Sequence, residues 1–388
     1  MNFGKQKVFI VVFGTALALG LVVLGYIFWQ KGGFKLVEKR LSKKVEIKSD
    51  FKEVKSKPAK KELSRFLKLA ETPVLGLRLF PGTNKVLFYQ AQKFFTVDPY
   101  SGERKSVGAY PFTEVQKFVW DLSGNKAIVK DLGEYYIFDF RSNLTKKFPD
   151  KIDIAIWNRQ GDKVIYKNYN TQTHQRQIKV ADTDGNNKMV AVDNLPYRRI
   201  EMTLQPRTDR FCYFPSPDAR VKGRLFCQNL DGSNLQEWGG NYGQDYLWSP
   251  AGEKILTSFA KDETGSQLVL GVMNKNGGEF HGLAFPTTVR KCVWSKDGVN
   301  VYCALLGNIP TVVMLPNFWQ EKSFDSVDTF WKINTETGKK SRLVEVEKMK
   351  QGDKELLFDT TNLLLDPEEE FLFFIDRRQG DLWRIKIK

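Results

Sequence analysis

Residues 248–258 read WSPAGEKILTS: an apolar residue ends one run, a polar turn with Gly follows, and a basic residue opens a second apolar run. The pattern recurs in LFPGTNKVLFY (79–89), WDLSGNKAIVK (120–130), WNRQGDKVIYK (157–167), LQPRTDRFCYF (204–214), WSKDGVNVYCA (294–304) and LDPEEEFLFFI (365–375). The copies start 41, 37, 47, 44, 46 and 71 residues apart. Most are followed by a third apolar run ending in a polar turn, such as YYIFDFRSN, QIKVADTDG or RLFCQNLDG, and then a short fourth run such as RKSVG or KMVAV. Four strands per period of about 40–45 residues is the signature of propeller blades. The expected fold is therefore all-β: a seven-bladed β-propeller over residues 63–388, with six or eight blades as alternatives. Apolar–polar alternation is imperfect, as befits strands covered on both faces.

The last copy predicts how the ring closes. DLWRIKIK follows LDPEEEFLFFI and gives that unit only three strands. RFLKLAE (65–71) precedes the first unit and has no partner of its own. Closure by this N-terminal segment would remove a long unpaired edge.

W-S-P-x-G-x-K-I at Trp248–Ile255 resembles the repeat of the TolB-like, WD-type propellers of bacterial envelope proteins. The resemblance spans about residues 65–388 and implies fold rather than activity. A separate N-terminal α/β domain, as in TolB, is missing, so a Tol–Pal role does not carry over. The hydrolase domain that accompanies such repeats in prolyl-oligopeptidase relatives is missing too.

Four cysteines fall in two pairs. In CVWSKDGVNVYC, a two-residue turn at Asp297-Gly298 would place Lys296 opposite Val299, Trp294 opposite Val301 and Cys292 opposite Cys303. Cys212 and Cys227 face each other across a second, looser hairpin. Directly opposed Cβ atoms lie close to disulfide distance. Two cross-strand pairs point to disulfides and an oxidising compartment, the alternative being four small buried thiols.

The net charge of +15 is concentrated: residues 1–61 hold fourteen Lys/Arg and four acids, leaving only +5 for the rest. A nucleic-acid-binding domain is therefore not expected. Residues 8–29, VFIVVFGTALALGLVVLGYIFW, carry no charge. As a helix they span about 33 Å, enough for a hydrocarbon core of about 30 Å. The run exceeds a signal-peptide core and no A-x-A site follows. The expected organisation is a tail (1–7), a transmembrane helix (8–29), a basic spacer (30–62) and the propeller. Basic residues flank the span on both sides, so the cysteines decide the topology: single-pass, with the propeller extracytoplasmic.

Catalytic, cofactor and metal sites are not expected. His174 and His281 lie near turns and away from any nucleophile setting; no G-x-S-x-G, P-loop or G-x-G-x-x-G occurs. DTDGNN (182–187) has Gly185 fourth, where a calcium loop needs it sixth, and equivalent turns recur in other units. Trp120, Trp157, Trp248 and Trp294 share a column with Leu79, Leu204 and Leu365, which marks packing rather than sugar stacking. One long insertion, NIPTVVMLPNFWQEKSFDSV (308–327), breaks the pattern. Its Met314, Leu315, Phe318 and Trp319 are candidate binding anchors, unless the loop folds back as a plug. These features predict a membrane-anchored binding module or scaffold of the cell envelope, its partner a protein or glycan. The alternative is a hydrolase or lyase acting on glycans in a central funnel lined by carboxylates such as Asp139, Asp182 and Asp245.

Overall fold

A computed structural model describes residues 63–388 except Thr72, Pro111 and Gly352. The tail, the apolar span and the basic spacer lie outside the described residues. Among the described residues no helix is long and apolar enough to cross a membrane.

The described chain is a succession of antiparallel sheets. Sheet A (75–109) contains Leu75–Leu79, Val86–Gln90, Lys93–Val97 and Arg104–Ala109. Sheet B (115–147) and sheet C (154–192) repeat this four-stranded order, as does sheet E (292–342). Sheet D (200–282) has seven strands because Gln236–Trp248 serves twice. Its first part pairs back to Lys222–Asn229, while Asp245–Trp248 pairs forward to Lys254–Ala260. Sheet F begins with Thr360–Leu365, Phe371–Asp376 and Asp381–Lys386. Its fourth strand is Phe66–Ala70, paired as Phe66 with Ile385 and Lys68 with Trp383. The closure expected from RFLKLAE is present.

All seven repeat copies close with the same pair of backbone bonds, and five add a cap from the equivalent side chain. At Ser249 the amide donates to Lys254 O (2.9 Å), Gly252 N–H donates to Ser249 O (2.9 Å), and Ser249 Oγ accepts Lys254 N–H (3.0 Å). The same three bonds form around Asp121, Asn158, Ser295 and Asp366. A short polar side chain thus caps the returning strand. This corrects the two-residue turn expected at Asp297-Gly298. Four residues, 296–299, separate Ser295 from Asn300, and of the central pair only Gly298 is left-handed (φ 69°). Register is unchanged, because both loops are centred on the same point: Trp294 pairs with Val301 and Cys292 with Cys303.

Both disulfides are formed, Cys292–Cys303 and Cys212–Cys227. They close separations of 11 and 15 residues. Replacing either pair with alanine is expected to cost about 2–4 kcal/mol through the freed denatured chain. Urea melts of each double variant check this; unchanged midpoints would mean the bridges add nothing.

Neighbouring sheets stack through apolar clusters. Phe88 and Val97 of sheet A meet Phe371 and Phe373 of sheet F, while Tyr89 and Phe94 of sheet A meet Val129 and Phe138 of sheet B. Equivalent clusters join B to C, C to D, the two parts of D, D to E, and E to F. Second strands are therefore buried on both faces, which is why Val86–Gln90 and Phe371–Asp376 show no alternation. The Trp column seals these junctions. Trp157 Nε1 donates to Val119 O (2.8 Å) and Trp294 Nε1 to Leu247 O (3.1 Å), each on the first strand of the preceding unit.

Candidate functional site

The first strands of sheets A and B, B and C, C and D, and E and F contact one another and form the inner edge of the stack. Charged residues gather where these strands begin. Asp153 precedes Ile154, Arg198 and Arg199 precede Ile200, Arg290 and Lys291 precede Cys292, and Asp359 precedes Thr360. A backbone entering the centre passes from solvent to core at this point, so a charged side chain here reaches either a neighbour or open space.

On one side the charges are paired and covered. Lys291 is fully buried, and its Nζ reaches Asp328 Oδ2 (2.6 Å), Asp359 Oδ1 (2.8 Å), Ser326 Oγ (3.0 Å) and Thr360 O (3.1 Å). Arg377 Nε donates to Asp359 Oδ2 (2.9 Å). The Trp319 ring lies 4.8 Å from Lys291 Nζ and 4.7 Å from the Arg377 guanidinium, and Trp319 Nε1 donates to Asp359 Oδ1 (2.9 Å).

This network fastens the 308–327 insertion. Leu315 and Trp319 pack with Leu268 and Leu306. Leu315 N–H donates to Gly265 O (2.8 Å), and Asn317 Oδ1 accepts Ala219 N–H (2.8 Å). The insertion also holds a short helix, Asn317–Gln320, that the sequence reading did not anticipate. Of the expected anchors, Leu315 and Trp319 are buried at 2% and 4% exposure, and Met314 and Phe318 are half-buried. The aromatic and aliphatic anchors therefore serve the loop's own attachment. The insertion lies over sheets D to F, and its apolar residues left exposed are Ile309 and Val312.

Burial pushes the Asp359 carboxyl up, but Lys291 and Arg377 outweigh it and hold it at about 2. The sign follows. A carboxyl depressed in the folded state gives stability that is present above its unfolded pKa near 4 and is lost as pH falls toward 2. Acid titration of the melting midpoint should therefore show a loss of about 2 kcal/mol in that window, absent from Asp359→Asn. An identical acid limb in that variant would refute the assignment.

On the other side the centre is open. One cavity of about 470 Å³ is lined by residues including Lys117, Lys130, Tyr135, Lys167, Arg198 and Arg199. It adjoins a second of about 610 Å³, which shares Arg198, Arg199 and Ser216 and ends against Asn317, Gln320 and Glu321 of the insertion. Lys167, 2% exposed, holds the corner between them by pairing with Asp153 and donating to Arg198 O (2.9 Å). Arg199 O accepts Ser216 N–H (3.1 Å). Backbone is thus fixed at both arginines.

The cleft's acids are engaged, except at its rim. Glu201 accepts from Arg290 (3.0 Å), Asp218 from Arg220 (2.7 Å) and Asp153 from Lys167. Burial alone would lower the Arg290 guanidinium; Asp245 and Glu201 outweigh that and keep it charged. Among the described residues, the side chains of Lys117, Arg198 and Arg199 have no hydrogen-bond or ion-pair partner, and all three are exposed. Lys130 touches only the Tyr135 ring, 5.5 Å from its centroid. The cleft therefore carries a surplus of uncommitted cations.

The proposed carboxylate lining does not assemble. Asp139 caps a turn, accepting the Arg141 and Ser142 amides (2.9 and 3.0 Å). Asp182 pairs with Lys163 (2.7 Å) at another outer turn. Only Asp245 lies at the centre, buried against Arg290 (2.7 Å). Asp139 and Asp182 are each the last residue of a third strand, where the chain turns toward the fourth. His174 bonds Tyr169 and His281 lies on an exposed two-residue strand, both away from the cleft. Among the described residues no group of three or more His, Cys, Asp or Glu could hold a metal ion.

No family model matches the chain, and no curated protein matches it. Solved structures do. An oligogalacturonate lyase in complex with manganese superposes with a TM-score of 0.59 at 11% identity, over 83% of this chain and 93% of that one. An oligogalacturonate lyase from Vibrio parahaemolyticus gives 0.57 at 11%, with the same coverage. The β-propeller domain of Cps50 (Swd1) from Myceliophteria thermophila gives 0.54 at 10%, over 83% of this chain and all of that domain. The fold is a β-propeller. At such identities the likeness carries no activity.

Sequence reasoning missed the cleft. Its signal was the adjacent pair Arg198-Arg199, matched by Arg290-Lys291 at the same point of a later unit. The two pairs look alike in sequence, yet Arg198 and Arg199 are exposed while Lys291 is fully buried beneath the insertion and Arg290 is half-buried against Asp245 and Glu201.

Proposed function

We propose that this chain is a membrane-anchored, TolB-like, WD-type propeller of seven blades, acting outside the cytoplasm as a binding module or scaffold of the cell envelope. Seven apolar junctions running from sheet A round to sheet F and back support the blade count, with sheet D counted as two blades. The uncharged run at residues 8–29 supports the anchor, and two disulfides support an oxidising compartment. The partner is a protein or glycan of the envelope.

The observation that carries this reading is the open cleft with three unpaired cations and no nucleophile–base pair beside them. Such a site attracts and holds a charged ligand. The competing reading, a glycan lyase, draws on the oligogalacturonate lyases among the structural neighbours. Tyr135 is the nearest candidate base, but burial pushes it up to about 12 and its hydroxyl already donates to Asp153 O (2.8 Å).

Affinity capture from detergent-solubilised membranes tests the proposal. The full chain should retain a partner that Arg198→Glu/Arg199→Glu loses. Equal capture by both would dissociate the cleft from the function. Release of unsaturated sugar ends from a polyuronate would establish the lyase instead.

A further inference from the structure

The cleft's chemistry narrows its ligand. This inference rests on the binding-module reading and names the partner class. We infer that the cleft receives an acidic peptide segment of a protein partner, its carboxylates seated on Arg198, Arg199, Lys117 and Lys130.

The argument is one of donors and acceptors. Lys and Arg side chains only donate. The acids of the cleft, Asp153, Glu201 and Asp218, are each neutralised by a cation of their own, so the charge left facing a ligand is positive. A neutral glycan brings hydroxyls, which donate and accept alike, but no charge to match that surplus. An acidic peptide brings carboxylates and carbonyls, which accept from the idle donors. Planar guanidinium groups favour a carboxylate that takes two bonds at once.

The walls point the same way. Tyr197 and Pro196, Pro215 and Pro217 flank the arginines, and no tryptophan lines either cavity. Tyr and Arg are the side chains most used to anchor protein partners, and flat indole platforms are absent from the lining. The two cavities share Arg198 and Arg199, so a linear ligand crosses from one to the other over this pair. Glu321 stands at the insertion end of the cleft, where it repels further acid. The ligand's acids therefore belong at the Lys117–Lys130 end.

Fluorescent hexaglutamate is the probe, titrated into the full chain in detergent and followed by anisotropy. Saturable binding that weakens with added salt is expected. Arg198→Ala/Arg199→Ala should lower affinity at least about tenfold, and Lys117→Ala/Lys130→Ala by a similar factor. Melting temperatures should hold, because Arg198, Arg199 and Lys117 are exposed and unpaired. Glu321→Gln should leave affinity unchanged or tighten it. Oligogalacturonate of equal charge and inorganic phosphate should compete at least about tenfold less well.

Stronger competition by oligogalacturonate would assign the cleft to glycans, overturning this inference while sparing the module reading. Equal hexaglutamate affinity in the arginine variant would also overturn it. If hexaglutamate fails to bind but partner capture still needs Arg198 and Arg199, the ligand class is wrong and the module stands. If capture ignores them too, both readings fall.

Discussion

Lys291→Met is expected to remove about 3–5 kcal/mol of stability, the range found when one partner of a buried ion pair is deleted. The substitution keeps the volume and takes away one charge. Asp328 and Asp359 are both fully buried, so neither can turn to water. Asp359 keeps Arg377, but Asp328 is left with only Ser326 and Thr360 as neutral donors. The uncompensated charge therefore sits on Asp328. Asp328→Asn in the Lys291→Met background should recover part of the loss, and a double-mutant cycle by urea denaturation measures how much. Release of the 308–327 insertion should accompany the loss, seen as new protease cleavage there. A variant with the parental midpoint and uncut insertion would show that this network does not hold the loop.

Phe66→Ala is expected to cost about 3–5 kcal/mol, the usual range for a fully buried phenylalanine. Phe66 is 2% exposed, stacks on Phe358 at 5.6 Å and belongs to the cluster joining sheets E and F. It is also the anchor of a five-residue strand with no other hold on the ring than its pairing to Asp381–Lys386 and its own side chains. Arg384 reinforces the clasp from inside: at 1% exposure it donates to Pro99 O (2.8 Å) and Ser64 O (2.6 Å), bridging sheet A and the closing strand. Amides of Asp381–Lys386 should lose exchange protection in Phe66→Ala before those of sheet C do. Uniform protection with an unchanged midpoint would mean that the ring does not depend on this closure.

Much of the fold was legible in residues such as Ser249, Gly252 and Lys254. Their spacing encodes a turn that needs one capping side chain and one left-handed residue, and both requirements are local. The Cys292–Cys303 register was legible for the same reason: a hairpin fixes its own pairing once its centre is known. Closure by Phe66–Ala70 was legible by subtraction, because the last unit lacked a strand and one segment was left over. The candidate site was not. Leu315, Phe318 and Trp319 read equally as binding anchors or as a plug, since nothing in their order reveals that Leu268 and Leu306 lie beneath Leu315 and Trp319. Arg198-Arg199 and Arg290-Lys291 read alike, and the burial of Lys291 depends on a loop that begins about a hundred residues beyond the first pair.

By itself the sequence determined the strand-and-turn unit, its repetition, the disulfide partners and the way the ends meet. All of these follow from contacts between residues near in the chain, or from counting strands. Only the tertiary structure decided which charges are spent and which remain. Whether a lysine or arginine is buried against carboxylates or left facing a cleft is set by what lies over it, and for Lys291 the cover is Trp319 of the insertion in its own unit together with Asp359 and Arg377 of the next.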